Sequence, residues 1–381
     1  MISITERDLR HKTWAEIDIP ALRRNYASVE EYAGDARVMC VVKADAYGHG
    51  AEVCSAALYE AGARWFAVSC IEEAAEICRG FESRGYEGAK ILILGYTPPE
   101  NAEVLSRYDI RQTVFSPEYA GALSQAAMNA GCTVKVHFKL DTGMNRLGFD
   151  AGDPDRAAED ILCASRSGGL LPEGLFTHFA CADGCDESIT EAQYGKYKAV
   201  ESRLSGAGLR LIRHVCNSAA TVRRPDLHLD MVRAGIILYG LDPWVPYDGG
   251  LRLSPVMTFK SIVSHIHTVK ADESVSYGWT YTAKNDIRVA TIPVGYADGF
   301  LRTFSAGGVY IGGKHVPIVG RVCMDQCMAD ISGIDGVSVG DEVVIFGGDR
   351  QRIVNLAEAA GTINYELVCL IGKRVSRIYK E

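Results

Sequence analysis

Between residues 37 and 240 short apolar runs alternate with amphipathic stretches, and eight runs can be counted: 38–42, 65–70, 90–95, 111–115, 134–140, 174–179, 212–216 and 231–239. Runs of this length and apolarity read as strands buried on both faces, the pattern of a parallel sheet covered by helices. The intervening stretches carry a different period. Val53, Ala57, Leu58 and Ala61, or Tyr194, Tyr197, Val200 and Leu204, recur at spacings of three and four and so share one helix face. Eight strand and helix units over roughly 200 residues favour closure into a barrel over an open sheet. The expectation is an α/β fold built on a (β/α)8 TIM-like barrel.

After about residue 250 the helical period fades. Runs at 262–269, 287–294, 316–322 and 341–346, separated by Gly-, Asp- and Lys-containing turns, read as strands of a C-terminal, mostly β domain with one short late helix near 356–360. The expected division is a barrel over 1–250, its first residues packing with the β domain, and the β domain over 251–381. With 381 residues, 48% of them hydrophobic, both units can bury a core.

Forty Lys and Arg against 48 Asp and Glu give a net charge of -8, with no basic stripe to follow a phosphate backbone, so nucleic acid is not an expected partner. No stretch approaches the roughly 20 apolar residues of a membrane span, and the charged first residues do not resemble a signal peptide, so a cytoplasmic enzyme is expected. The twelve cysteines are scattered singly without a C-x-x-C pair, which reads as reduced, mostly buried thiols and no metal site.

Functional groups of such barrels sit at the C-terminal ends of the strands. After the first run stands Lys43. An ammonium there loses solvation unless paired, and a lysine that is neutral near pH 7 is the nucleophile of Schiff-base chemistry; a lysine snorkelling to the rim is the plain alternative. Runs seven and eight end in Asn217-Ser218 and in Arg233-Ala234-Gly235-Ile236, where barrels commonly bind phosphate and where glycine lets backbone approach a ligand. Arg233 lies inside an apolar run and needs a partner, a ligand or an internal salt bridge. A lysine facing a phosphate site across a barrel mouth describes the two ends of pyridoxal 5'-phosphate.

The run Val42-Lys43-Ala44-Asp45-Ala46-Tyr47-Gly48-His49-Gly50 resembles the cofactor-attachment motif of the alanine racemases. Similar matches follow in order along almost the whole chain, among them the segments 139–146, 177–180, 217–220, 233–236, 276–278, 295–299, 323–325 and 363–366. The resemblance implies a homodimer that interconverts L- and D-alanine, supplying D-alanine for cell-wall peptidoglycan, with Lys43 and a second subunit's Tyr277 as the two bases. It further implies that Tyr47, Ser218, Gly235, Ile236 and Tyr365 contact the phosphate and that Arg233, oriented by His178, faces the pyridine nitrogen, with Asn217 beside them. Arg146 and Met324 would meet the substrate carboxylate, a carbamylated Lys139 would orient Arg146, the plain alternative being a lysine lying beside Asp141, and Tyr296 and Tyr365 would wall the side-chain pocket. A serine-preferring racemase, a barrel-type decarboxylase and a non-enzymatic carrier of the cofactor are the alternatives.

Overall fold

The computed structural model describes residues 11–184, 186–243 and 251–381, apart from the side chains of 350–352; the charged first residues lie outside this set. In the N-terminal two thirds the strands are β1 (Thr13–Asp18), β2 (Arg37–Val41), β3 (Trp65–Val68), β4 (Lys90–Ile93), β5 (Ile110–Val114), β6 (Val134–Asp141), β7 (Phe149–Asp150), β8 (Leu170–Phe176), β9 (Ile212–His214) and β10 (Met231–Ala234). One parallel sheet runs β10-β2-β3-β4-β5-β6-β8-β9, and β7 pairs only with the end of β6. Between β9 and β10 the Arg233 N–H donates to Cys216 O at 3.0 Å and the Asp230 N–H to Arg213 O at 3.2 Å, so the eight strands form a nearly closed barrel. The strands are apolar because both faces are covered: every residue of β3, β5 and β10 is buried.

Each apolar run holds a strand, with shifted ends. The sixth begins earlier, at Leu170, and the eighth ends at Ala234. Beyond Gly235, residues Ile236–Tyr239 form a 3-10 helix that is buried throughout. An unbroken apolar run has no period to separate strand from buried helix. The two amphipathic patterns lie on helices Ala51–Glu60 and Glu187–Gly206.

The C-terminal third adds β11 (Met257–Ile262), β12 (His265–Val269), β13 (Ser274–Val275), β14 (Tyr281–Thr282), β15 (Ile287–Ile292), β16 (Val309–Ile311), β17 (Lys314–Val316), β18 (Cys327–Asp330), β19 (Glu342–Phe346) and β20 (Ser376–Lys380). The order of its larger sheet is β17-β16-β19-β11-β1-β20. The first strand of the chain thus sits between strands far away in sequence, with Ala15 opposite Phe259 on one side and Arg377 on the other. Two late helices are present, Arg350–Ala360 and Asn364–Cys369, the second of which the sequence pattern does not announce. Among the described residues all cysteines are free; Cys40, Cys54, Cys78, Cys216 and Cys327 are buried, whereas Cys163 and Cys369 are exposed. No described cluster of His, Cys, Asp or Glu could hold a metal ion, and no described helix is long and apolar enough to cross a membrane.

Candidate active site

Immediately after β2 the backbone makes a turn of the wrong hand. Ala44, Asp45, Ala46 and Tyr47 all have φ between 52° and 56°. Left-handed helical geometry costs an L-residue about 1–2 kcal/mol, so four in succession persist only if neighbours enforce them. Glu73 Oε1 accepts the Ala44 N–H at 2.7 Å, Asp45 Oδ1 accepts the Ala51 N–H at 2.7 Å, and His49 Nδ1 lies 2.9 Å from both Ala46 O and Tyr47 O. Gly48 closes the turn at φ +78°, and a Cβ there would stand 2.2 Å from Val368 O, so helix Asn364–Cys369 packs directly on it. The result is that Lys43 and Tyr47 both line a cavity of about 470 Å³ at the barrel mouth.

The opposite wall comes from β9 and β10. Asn217 caps helix Ser218–Arg223 by accepting the Ala220 N–H at 3.0 Å, and Ser218 Oγ accepts the Gly235 N–H at 2.9 Å. A Cβ on Gly235 would lie 2.7 Å from Tyr47 Oη and 3.5 Å from Ser218 Oγ, so the backbone is bare where two hydroxyls converge. Asn217, Ser218, Arg233 and Gly235 line the cavity with Lys43 and Tyr47, and His178 and Tyr365 complete the set. Ile236 follows Gly235 in the chain but is fully buried and outside the lining.

The cavity is electropositive. Arg233 is 3% exposed and has no carboxylate partner among the described residues: its guanidinium donates to Thr177 O and His214 O, each at 2.7 Å, and Nη2 stands 3.4 Å from His178 Nδ1. The internal salt bridge considered for it is not what the structure shows. Burial pulls this guanidinium down to about 10, still charged at neutral pH. Burial and then the charge of Arg146 lower Lys43, and burial followed by the charges of Arg233 and Arg146 holds His178 far below the ordinary histidine range. Burial pushes the hydroxyls of buried Tyr47 and half-buried Tyr365 up, and they stay protonated. The acid of the lining, Glu366, is exposed and bonded to Thr362.

Lys139, 3% exposed on β6, donates to Leu147 O at 2.9 Å; burial and the Arg146 charge pull it down to about 8. Its neighbour Asp141 is occupied by three backbone N–H groups, of Gly143 at 2.9 Å, Asn145 at 3.0 Å and Arg146 at 2.9 Å. Those bonds shape the loop that presents the exposed Arg146.

Tyr277, Met324 and Tyr296 form a second, separate constellation on the β region. Ser276 Oγ donates to Arg321 O at 2.6 Å, and the Tyr296 and Ala297 N–H groups donate to Cys323 O and Met324 O at 3.1 and 3.0 Å. Tyr277 and Met324 line a shallow cleft with Trp279 and Cys323. Tyr277 is 71% exposed, Trp279 76%, Met324 52% and Tyr296 41%. None of them lines the cavity that holds Lys43.

Sequence reasoning passed over several residues. Leu94 and Cys369 line the cavity, and Glu73 holds the turn from helix Ile71–Arg84. Leu94 directly follows β4 but lies inside the apolar run 90–95, so looking just past each run does not find it. Glu73 carries no signal either. His137 and His214, polar residues within barrel strands, are fully buried next to Arg233 and its neighbours.

The residues present fit an anionic aldehyde cofactor. They provide an amine shifted toward its neutral form, a bare backbone cradle between two hydroxyls, and a buried cation that lacks a protein anion.

Models of two families match the chain: the alanine racemase N-terminal domain over residues 17–243 and the alanine racemase C-terminal domain over 256–379. An alanine racemase of Desulfovibrio desulfuricans is 43% identical over 371 residues, 97% of this chain and 98% of that one. The solved alanine racemase of Clostridium difficile superposes with a TM-score of 0.91 at 39% identity, covering 98% and 97% of the two chains. That of Bacillus anthracis, solved with bound L-Ala-P, gives 0.89 at 34% identity over 98% and 96%. By these matches along both halves, the chain belongs to the alanine racemase family of pyridoxal 5'-phosphate-dependent isomerases.

Proposed function

We propose that this chain interconverts L- and D-alanine in a homodimer whose two sites each combine the barrel mouth of one copy with the exposed rim of the other. The observation that carries the reading is Lys43: half-buried, lowered in pKa and set across one cavity from the cradle of Tyr47, Ser218 and Gly235. The Tyr47, Ser218 and Tyr365 hydroxyls and the backbone of Gly235 and Ile236 would hold the cofactor phosphate, with Asn217 fixing the helix start beside them. When bound, pyridoxal 5'-phosphate supplies an electron sink that acidifies the substrate α-C–H.

Racemisation then needs a proton removed on one face and delivered on the other. Lys43 Nζ serves one face. Tyr277 Oη of the second copy serves the other, and its exposure in the single chain leaves it available to that role. Arg233 cannot in practice give up its proton, so as the donor that would hold the cofactor's ring nitrogen it would leave that nitrogen unprotonated and the sink weak, which would favour prompt reprotonation over transamination. His178, at 3.4 Å from its Nη2, steadies it. Arg146 and the backbone of the second copy's Met324 hold the substrate carboxylate and so decide which face each base sees. Tyr365 and the second copy's Tyr296 leave room for a methyl group; each further methylene costs about 1–3 kcal/mol in such a pocket.

Mixing chains tests the shared site. Lys43→Ala and Tyr277→Phe chains, each inactive alone, are unfolded together and refolded. In a mixed dimer one site carries both substitutions and the other carries neither, so random pairing restores about a quarter of the wild-type rate. No recovery in a refolded dimer would place both bases in one chain.

A further inference from the structure

Arg233 is held from beneath the cavity as well as from its wall. Its Nη1 donates to His214 O at 2.7 Å and stands 3.2 Å from Nδ1 of the same residue. His214 Nε2 lies 2.8 Å from His137 Nδ1 on β6, and His137 Nε2 lies 3.1 Å from Glu173 Oε2 on β8. Glu173 also accepts from Arg111 Nε at 2.9 Å. Both imidazoles are fully buried, and Phe176 stacks on His214 at 4.8 Å between ring centroids. Glu173 reaches a surface cleft with Arg37, Arg210 and Asp230 at the opposite end of the barrel from Lys43.

Hydrogen-bond chemistry leaves this chain of groups a single arrangement. An arginine only donates, so His214 Nδ1 must be bare and its proton must sit on Nε2. That proton points at His137 Nδ1, which must also be bare, so the second proton sits on His137 Nε2 and is donated to the carboxylate. Reversing either ring, or charging it, sets two donors or two lone pairs head to head. The electrostatics agree. Burial lowers both imidazoles below the ordinary range, and for Glu173 the bonds from His137 and Arg111 outweigh burial and hold it down to about 2. As mere filling such a network would be a poor choice, since apolar side chains fill a barrel interior without desolvating four polar groups.

We propose that Glu173, His137 and His214 are positioning residues that fix the plane and the charge of Arg233 from the floor of the barrel, so that a carboxylate at the far end of the barrel tunes the group facing the cofactor ring. The inference rests on the reading of Arg233 given under Proposed function.

The array can be observed without turnover. In the full-length enzyme labelled with nitrogen-15 histidine, with and without cofactor, His137 and His214 should both show the neutral Nε2–H form between about pH 6 and 8. An imidazolium or an Nδ1–H form at either residue overturns the array. In the holoenzyme, His214→Leu should shift the absorbance band of the bound cofactor and lower kcat about tenfold while the alanine KM stays within about twofold. Glu173→Gln keeps an acceptor oxygen but no charge, and should move both in the same direction, kcat by about threefold. Variants that lose thermal stability yet keep the wild-type band and kcat make the network structural only. Arg233→Lys separates the two readings. If it keeps the wild-type band and turnover, Arg233 loses its assigned role and the array goes with it; if it changes both while Glu173→Gln and His214→Leu change neither, the array alone falls.

Discussion

The barrel mouth and the rim of the β region differ in how much of their work a single chain can finish. At the mouth Ser218 and Arg233 are buried and spoken for: Ser218 Oγ takes the Gly235 N–H, and Arg233 fills carbonyls on two strand ends. On the rim, Tyr277, Trp279 and Met324 stand 71%, 76% and 52% exposed around a shallow cleft. Large apolar side chains gathered in the open are a surface awaiting a cover. On the shared-site proposal, the contrast divides the chemistry by degree of finish: the cofactor would be held within one copy, and the second base would come from another.

The strongest way to break this comparison is to damage each half separately. Lys43→Ala should remove the visible band of the lysine-bound cofactor and cut turnover by about 10⁴-fold. Tyr277→Phe should keep the band and lose about 10²–10³-fold, because a rim residue does not hold the cofactor. Spectra and rates in both directions read this out. A near-normal rate for Tyr277→Phe removes the rim from the mechanism, and a retained band in Lys43→Ala moves the attachment to another lysine.

The two halves were also unequally legible. The barrel showed in the sequence because strands buried on both faces are uninterrupted apolar runs; Lys43 showed because it follows the first run at the C-terminal end of a strand, and Arg233 because it is a cation inside such a run. Three things did not show. The left-handed path of Ala44 to Tyr47 is imposed by Glu73, His49 and the packing of helix Asn364–Cys369, and nothing in a local stretch of alanines and a tyrosine announces it. That the first residues pack with the β domain was expected, but the insertion of β1 between β11 and β20 was not, because it depends on pairing across more than two hundred residues. Tyr277 is one tyrosine among 18, and no pattern of burial or spacing singles it out; only the family resemblance did.

A substitution at the cradle sharpens the comparison by separating cofactor binding from chemistry within the mouth. Gly235→Ala would put a methyl 2.7 Å from Tyr47 Oη and into the space between the hydroxyls. Overpacking of this kind costs about 1–3 kcal/mol, so the cofactor dissociation constant should rise about ten- to a hundredfold while kcat at saturating cofactor stays within about twofold. Equilibrium titration of the apoenzyme measures the first and steady-state kinetics the second. An unchanged affinity would place the phosphate elsewhere.

Lys139 lies buried on β6, bonded to the loop that carries the exposed Arg146. Its folded-state pKa of about 8 lies below the ordinary lysine value, so the fold penalises the ammonium. The sign follows: the penalty is full below that pKa and is relieved as pH rises from it toward the unfolded-chain value. The growing free amine can add carbon dioxide, so a carbamate signal from carbon-13 bicarbonate should strengthen as pH rises through about 8. Lys139→Met should abolish that signal and raise the alanine KM about fivefold, with kcat within about twofold. Absence of the signal in wild-type enzyme leaves Lys139 to act by its bond to Leu147 O alone.

The smallest expected effect tests whether the mouth carries stored strain. Ala44 is exposed at φ 52°, so Ala44→Gly relieves about 1 kcal/mol of left-handed strain without giving up a buried methyl. The melting temperature of the apoenzyme should rise by about 2–3 °C. Ala46 has φ 52° as well but is 0% exposed, and Ala46→Gly forfeits about 0.8 kcal/mol of buried methyl along with the strain, so its melting temperature should hardly move. The rim has no run of four such residues: Ser276 stands at φ 67°, and Gly278 and Trp279 follow at 73° and 47°. If Ala44→Gly and Ala46→Gly destabilise equally, the turn is not strained as its dihedral angles imply. If only the second does, the path of Lys43 is held against its own backbone preference by Glu73 and His49, and the mouth is the half of the site in which rigidity was built at the expense of stability.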